Sequence, residues 1–142
     1  MEGWVLSIRI LDLCSLELRF LRNNGAAFGM LQNQKVFFVF VAVLILFVIA
    51  YVLFRLPDDK KFNVMHILLA LLASGAAGNL IDRVRHDYVV DFIYFVLINF
   101  PIFNVADIYV TVSTFLFVIL FIFYYKENDF DFLSFNQKRK EL

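Results

Sequence analysis

The chain has 142 residues, of which 62% are hydrophobic, and its mean hydropathy is +0.78. A soluble domain of this length cannot bury so much apolar surface, so the composition indicates an integral membrane protein. The 13 Lys and Arg are matched by 13 Asp and Glu and are scattered along the chain, which excludes a basic nucleic-acid-binding surface. The single Cys excludes an internal disulfide, and the two separated His do not form a zinc site.

The first 35 residues contain neither a signal peptide nor an apolar run long enough to span a bilayer. Apolar and polar residues alternate at positions 6–10 and again at 16–20, a pattern typical of half-buried strands. We therefore expect a small sheet of two or three strands at the membrane surface. Residues 23–25 favour a turn, and the small residues of 25–29 allow the backbone to approach a partner or ligand closely.

Three segments are apolar and long enough to cross a membrane as helices, namely residues 36–54, 64–81 and 108–125. The polar connection at 55–61 contains Pro57, which predicts that the second helix runs antiparallel to the first. Small residues at positions 73–78 of the second helix would let a neighbouring helix pack closely in lipid. The chain is thus predicted to be an α-helical integral membrane protein with a single domain, 1–142.

Residues 82–107 do not form a further span. The part from 83 to 91 carries several charges, and the part from 92 to 106 is apolar but has only fifteen residues and contains Pro101. We interpret this second part as an interfacial or re-entrant segment. The tail, residues 126–142, has mixed charges and is predicted to be exposed to solvent.

Charge asymmetry sets the orientation. The tail and the 55–61 connection share one side of the membrane and together carry seven Lys and Arg, against six on the other side. This difference favours the tail side as cytoplasmic. Residues 1–35 and 82–107 would then lie on the extracytoplasmic face of a multi-pass protein of the cytoplasmic membrane.

Polar residues that a membrane protein would otherwise avoid are concentrated between Ser74 and Asp107. Asp91 stands inside the apolar run VVDFI, and Asp107 lies where the third helix begins. Two carboxylates brought together at a membrane boundary can hold one proton between them, so one activates water while the other protonates the developing oxyanion. This is the chemistry of aspartic proteolysis.

Other roles are open for some of these residues. Asn104 fits the N-cap of the third helix within a capping box, a role that is compatible with one in the site. Asp82 and Arg83 could form ion pairs near the interface, and Asp87 fits a solvated loop charge. Asp91 has no helix cap and no sequence neighbour that would explain its charge, so a functional role is favoured most strongly there.

Four blocks of sequence carry a family resemblance: NNGAAFG at 23–29, GNLIDR at 78–83, VVDF at 89–92 and FNVAD at 103–107. In this order, with membrane spans between them, they resemble lipoprotein signal peptidase, the type II signal peptidase of bacteria. The resemblance extends over about residues 20–125. It implies an aspartic endopeptidase that needs no metal or other cofactor, is the target of globomycin, and cleaves prolipoproteins just before a diacylglyceryl-modified cysteine.

The same resemblance assigns residues to roles. Asp91 and Asp107 match the catalytic pair. Four residues match the polar lining of the substrate site, namely Asn23, Asn79, Arg83 and Asn104. Three more are expected to shape the site, namely Asp82, Gly25 and Gly78. The N-terminal strands and the segment from 83 to 107 would correspond to the family's extracytoplasmic cradle and its lid-like helix. The expected partners are a diacylglyceryl-prolipoprotein and membrane lipids, and we expect a monomer.

The sequence also departs from the family, which has four spans and an Asp-x-x-Thr-Lys block after the first. We expect the functional protein to begin upstream of Met1, with an additional apolar helix that leads the strands across the membrane. Two alternatives are a small transporter or channel subunit with proton-relay Asp residues, and an inactive truncated relative. An ion path needs polar residues across the whole membrane, so the one-sided clustering favours hydrolysis.

Overall fold

The computed structural model describes residues 8–9, 16–25 and 34–133. These residues form three strands and three α-helices, in the order β1 (Ile8–Arg9), β2 (Leu16–Asn23), α1 (Lys35–Arg55), α2 (Asn63–His86), β3 (Val89–Phe95) and α3 (Val105–Phe123). Two 3-10 helices, at Lys60–Phe62 and Glu127–Leu133, flank the ends of α1 and α3 that lie away from the sheet.

All three α-helices are long and apolar enough to cross a membrane. Their apolar side chains are exposed on most sides: Val36, Phe54 and Phe123 are 82%, 90% and 81% exposed. A helix that is apolar all round and little buried by protein needs a hydrocarbon environment. The predicted helical membrane fold with three spans is therefore confirmed.

Two helix boundaries differ from the prediction. The second helix was expected at 64–81, but α2 continues to His86 and ends at Asp87, whose φ of 71° is left-handed. Residues 82–86 therefore belong to a helix. The basic residues of its last turn interact favourably with the negative end of the helix dipole. The third helix was expected at 108–125, but α3 starts at Val105 because the side chain of Asn104 caps it.

The helix α2 packs against both α1 and α3. Its closest approach to α3 is at Gly75, where an added Cβ would lie 2.5 Å from the carbonyl oxygen of Ala106 and 2.8 Å from a methyl carbon of Val110. Only glycine fits at this distance. The prediction that the small residues of 73–78 allow close helix packing is thus correct.

The sheet is antiparallel with the order β1–β2–β3, so β2 is its central strand. The predicted small sheet of two or three strands is therefore present, but its third strand, β3, lies at Val89–Phe95, where no strand was expected. The interfacial segment expected at 92–106 begins inside β3, which pairs with β2 from Leu16 opposite Phe95 to Asn23 opposite Val89. Between Asp87 and Asn104 the structure contains this strand, a turn and an extended return rather than a lid-like helix.

The opposite end of the helices is closed by the segment Glu127–Leu133. Phe132 is buried there, its ring meets that of Phe62 edge-on at 5.7 Å, and Arg55 donates to its backbone oxygen from Nε at 3.0 Å and Nη2 at 2.7 Å. The prediction of a solvent-exposed tail is wrong for Phe130, Phe132 and Leu133, which complete a small core, whereas Glu127, Asn128 and Asp131 are exposed as expected. Residues 134–142 lie outside the described part of the chain.

This contact gives a first prediction. Phe132→Ala should lower the free energy of unfolding by about 3 kcal/mol, because it empties a buried aromatic site. Phe123→Ala, at an exposed position, should change it by no more than about 0.5 kcal/mol. Unfolding of both variants in mixed detergent micelles measures the difference. Equal stability of the two would show that Phe132 does not hold the segment in place.

Candidate active site

The polar side chains singled out in the sequence meet at one place, where the sheet joins α2 and α3. Each comes from a different element. The end of β2 supplies Asn23, β3 supplies Asp91, the C-terminal half of α2 supplies Asn79 and Arg83, and the start of α3 supplies Asn104 and Asp107.

Asp91 is the most deeply buried of the acidic residues in this cluster, with 1% of its surface exposed. Each of its carboxylate oxygens accepts one hydrogen bond. The Nδ2 atom of Asn23 donates to Oδ2 at 2.8 Å, and the Nδ2 atom of Asn104 donates to Oδ1 at 2.8 Å. A buried carboxylate needs such donors, and the sequence did not reveal that Asn23 would supply one.

Asp107 sits in the first turn of α3, where the helix dipole favours a negative charge. Its Oδ2 accepts from the backbone N–H of Asn104 at 3.1 Å, and its own N–H donates to Asn104 Oδ1 at 3.0 Å. This is the capping box that the sequence predicted. Its other oxygen, Oδ1, accepts from Asn79 Nδ2 at 2.8 Å, so the cap and the site share one carboxylate.

A further hydrogen bond joins the two carboxylates into one network. The Nδ2 atom of Asn104 also donates to Oδ1 of Asn79, at 3.1 Å. The chain of contacts therefore runs from Asn23 through Asp91, Asn104 and Asn79 to Asp107. Both bridging carboxamides are oriented by several partners, which fixes the carboxylates before any substrate arrives.

The electrostatic consequence falls on Asp91. Burial raises its pKa from the ordinary 3.8 to about 6, and the charge of Asp107 acts in the same direction. The hydrogen bonds from Asn23 and Asn104 and the charge of Arg83 lower it and only partly offset the burial. Asp91 therefore keeps a proton to a higher pH than an ordinary carboxyl group.

Arg83 joins three parts of the fold. Its Nη1 donates to the backbone oxygen of Asn79, and its Nη2 donates to that of Gly25, both at 3.2 Å. Its guanidinium carbon also lies 4.9 Å from the centre of the Phe38 ring on α1. A planar group with several donors can make these contacts together, whereas an ammonium group cannot reproduce the geometry.

Asp82 shapes the cluster from outside. Its Oδ2 accepts the backbone N–H of Val90 at 3.1 Å, which ties β3 to α2 one residue before Asp91. It also lies 3.8 Å from Nδ1 of His86. The hydrogen-bond partner of Asp82 therefore lies on a strand.

The glycines differ in what they do. Gly25 is buried, and its N–H donates to Asn23 Oδ1 at 2.9 Å, which fixes the side chain that holds Asp91. Gly78 has room for a methyl group, because an added Cβ would lie in van der Waals contact, 3.4 Å from the Cβ of Ala106. Gly75 has the tightest contact, yet the sequence motifs did not single it out. The signal available was its place in the run of small residues.

Asp87 was interpreted as a solvated loop charge, and its exposure agrees with this interpretation. Its side chain is 78% exposed but forms an ion pair with Lys35 at the start of α1. The pair joins the two ends of helices that face the sheet.

Among the described residues, His, Cys, Asp and Glu are nowhere grouped in threes or more so as to hold a metal ion.

The fold and the cluster together define a multi-pass membrane protein with two carboxylates held in an asparagine network at one end of its helices. A family model described as "Signal peptidase (SPase) II" matches residues 3–123. The chain therefore belongs to the signal peptidase II family and is a membrane peptidase. This membership does not favour the alternative of a transporter subunit.

Individual relatives agree with this assignment. The lipoprotein signal peptidase of Streptococcus pyogenes serotype M1 is 43% identical over 116 residues, which cover 81% of this chain and 72% of the relative. That of Caldanaerobacter subterraneus subsp. tengcongensis is 46% identical over 107 residues, covering 75% and 70%. A bacterial membrane enzyme solved by the in meso method at 2.3 Å aligns with a TM-score of 0.73 and 36% identity, covering 83% of this chain and 71% of that one.

Proposed function

We propose that this protein removes the signal peptide from diacylglyceryl-modified prolipoproteins by aspartic hydrolysis, cutting just before the lipidated cysteine. The observation that carries the proposal is the network joining Asp91 to Asp107 through Asn104 and Asn79. It supports a pair of carboxylates held in fixed positions where the membrane helices meet the sheet. The named substrate comes from the lipoprotein signal peptidases that the chain resembles.

In this mechanism Asp91 is the member of the pair that takes up the shared proton, because it is the more deeply buried one and burial raises its pKa. The ionised Asp107 removes a proton from a water molecule, which attacks the scissile carbonyl carbon. Asp91 gives its proton to the carbonyl oxygen as the tetrahedral intermediate forms. Collapse of the intermediate breaks the carbon–nitrogen bond. Asp107 passes its proton to the leaving amine, and a hydroxyl of the intermediate returns a proton to Asp91 as the new carboxylic acid forms.

The remaining residues position the pair. Asn23, Asn79 and Asn104 direct their carboxamides at the carboxylates, so we assign them to orienting Asp91 and Asp107 as well as to lining the substrate site. Arg83 holds the end of β2 at Gly25 next to α2. The site therefore has its geometry set before substrate binds, which lowers the cost of reaching the transition state.

We further propose that the site faces the extracytoplasmic side of the cytoplasmic membrane. The cluster and the sheet lie at the end of the helices opposite to the 55–61 connection and the segment Glu127–Leu133. The end with the 55–61 connection, counted together with the tail, carries more basic residues than the end with the sheet. A monomer suffices for this mechanism, because every residue assigned to it lies in one chain.

Processing in cells tests the function. The chain is expressed in bacteria depleted of their own lipoprotein signal peptidase, and a lipid-modified precursor is followed by its mobility in gels. We expect conversion of the precursor to the mature form. Accumulation of uncut precursor, with the protein present in the membrane at normal abundance, would overturn the proposal.

The pH dependence tests the assignment of the proton. Asn23→Leu removes a donor that lowers the pKa of Asp91 while keeping the carboxyl buried. The pKa should rise, so the alkaline limb of the kcat/KM profile should move to higher pH. Asn24→Leu, the same change at an exposed neighbour, should leave the limb in place. A limb that stays put or moves to lower pH in Asn23→Leu would contradict the assignment to Asp91.

A further inference from the structure

An apolar turn projects from the sheet. Between β3 and α3 the chain turns at residues 96–99, and the side chains at its tip are open to the surroundings: Leu97 is 72% exposed and Ile98 70%. Phe100 beside them is exposed as well. From Phe92 to Ala106 the chain contains no Asp, Glu, Lys, Arg or His. A continuous uncharged surface with large apolar side chains at its tip marks a contact site rather than a water-facing loop.

The turn is held in a fixed shape. The N–H of Asn99 donates to the oxygen of Val96 at 3.1 Å, and that of Phe100 donates to the oxygen of Phe95 at 3.2 Å. The hydroxyl of Tyr94 donates to Oδ1 of Asn99 at 2.6 Å, where the backbone has a left-handed φ of 48°. These contacts fix the direction in which the tip points.

A second layer of contacts holds Tyr94 itself. The guanidinium carbon of Arg19 lies 4.1 Å from the centre of the Tyr94 ring. Arg19 in turn donates from Nε to Oε2 of the buried Glu17 at 2.8 Å. A row of polar contacts from Glu17 through Arg19 and Tyr94 to Asn99 thus braces the turn from β2. These contacts to β2 hold the apolar tip in a defined position.

We propose that the tip formed by Leu97, Ile98 and Phe100 inserts into the lipid bilayer at the membrane surface. The turn lies close in sequence to α3, whose first residues include the exposed Val105, Ile108 and Tyr109. The apolar, uncharged stretch therefore runs along the chain as far as the exposed apolar residues of a membrane helix. A soluble partner would need charged or polar groups around the patch for recognition, and this stretch has no charged residue.

Insertion would fix the depth of the site. The strand β3 carries Asp91 and runs directly into the turn, and the bridge between Ile93 and Phe103 ties the return of the chain to the same strand. A tip anchored in lipid therefore holds Asp91 at a constant distance from the hydrocarbon. This consequence rests on the proposed function, since a lipid-modified substrate presents its scissile bond at the membrane surface. The lipid contact itself does not depend on it.

Site-directed labelling measures the contact directly. In a Cys14→Ser background, Ile98→Cys and the control Asn24→Cys each receive a nitroxide label, and the proteins are placed in phospholipid nanodiscs. Collisions with oxygen, which concentrates in lipid, and with a water-soluble nickel chelate report the surroundings of each label. We expect the label at 98 to be accessible to oxygen and shielded from nickel, with the reverse at 24. Equal nickel accessibility at both positions, or shielding at 98 only after lipidated precursor or another protein is added, would overturn the proposal.

Cleavage activity gives a second test of the lipid contact. The double variant Leu97→Ser, Ile98→Ser should lose cleavage several-fold with precursor in liposomes but not with precursor dissolved in detergent micelles. Equal loss in both would overturn the role of the lipid contact. If the unaltered protein cleaves in neither system, the proposed function fails, while the label at 98 still decides the membrane contact.

Discussion

Asp91→Asn and Asp107→Asn should each abolish cleavage, with losses of at least about 10³-fold, while the protein stays in the membrane at normal abundance. The proposed reaction needs one carboxylate to accept a proton from water and one carboxyl group to donate a proton to the carbonyl oxygen. A carboxamide can do neither. Because the two residues act as one unit, the double variant should lose no more than either single variant. Cleavage rates of purified variants on a lipid-modified precursor measure this.

A matched control removes the same charge elsewhere. Asp87→Asn is also an Asp to Asn change, and the position is exposed. The backbone of residue 87 is left-handed, a conformation that asparagine tolerates well. It removes the ion pair with Lys35, which is worth at most about 1 kcal/mol at the surface. Cleavage should stay within about twofold of the unaltered protein. Near-normal turnover by Asp91→Asn or Asp107→Asn would remove that residue from the catalytic pair.

Stability gives an independent sign of the state of Asp91. Its pKa in the folded protein, about 6, lies above the ordinary value, so the charged form is disfavoured by folding. The protein should therefore lose stability as the pH rises from 3.8 through about 6, and the Asp91→Asn variant should not show this part of the pH dependence. Thermal unfolding at pH values from below 3.8 to above 6, which include both the ordinary and the raised pKa, compares the two proteins.

Gly75→Ala should have the second large effect. The new Cβ would meet the carbonyl oxygen of Ala106 at 2.5 Å, so α2 and α3 must separate. Ordinary contact requires a shift of roughly 1 Å, and a misplacement of that size costs on the order of 10²-fold in rate. The hydrogen bond from Asn79 to Asp107 spans these two helices and should be lengthened or lost.

Gly78→Ala provides the comparison. It lies one turn further along α2, and its new Cβ would sit in ordinary contact at 3.4 Å from the Cβ of Ala106. Both changes gain the same helix propensity, about 1 kcal/mol, so the difference between them isolates the clash. We expect Gly78→Ala to be as stable as the unaltered protein or more so, and Gly75→Ala to be less stable. If Gly75→Ala were as stable as Gly78→Ala and cleaved normally, α2 and α3 would not be packed as closely as described.

The three spans could be predicted because a helix in lipid is defined by its own length and hydropathy. The capping box could also be predicted, since Asn104 and Asp107 lie three residues apart. The strand β3 could not, because apolar residues occur on both of its faces and hide the alternation that marks a strand. Only its β-branched and aromatic composition favoured a strand.

Sequence motifs identified the residues of the candidate site but not their partners. Asn23 and Asp91 are separated by 68 positions, so only the pairing of β2 with β3 could show that one holds the other. The asparagines were expected to line the substrate site, and the sequence did not show that their amides are also directed at the two carboxylates. Gly75 could not be distinguished from its small neighbours, since the clash depends on where α3 packs.

The most direct test of the central claim is the mass of the products from two synthetic precursors incubated with the purified protein. One carries a diacylglyceryl group on its cysteine, and the other has the same sequence with an unmodified cysteine. We predict a single cut in the modified precursor, at the bond before the lipidated cysteine, and no cut in the unmodified one. Cleavage of both alike, cleavage at another bond, or two intact precursors would contradict the account.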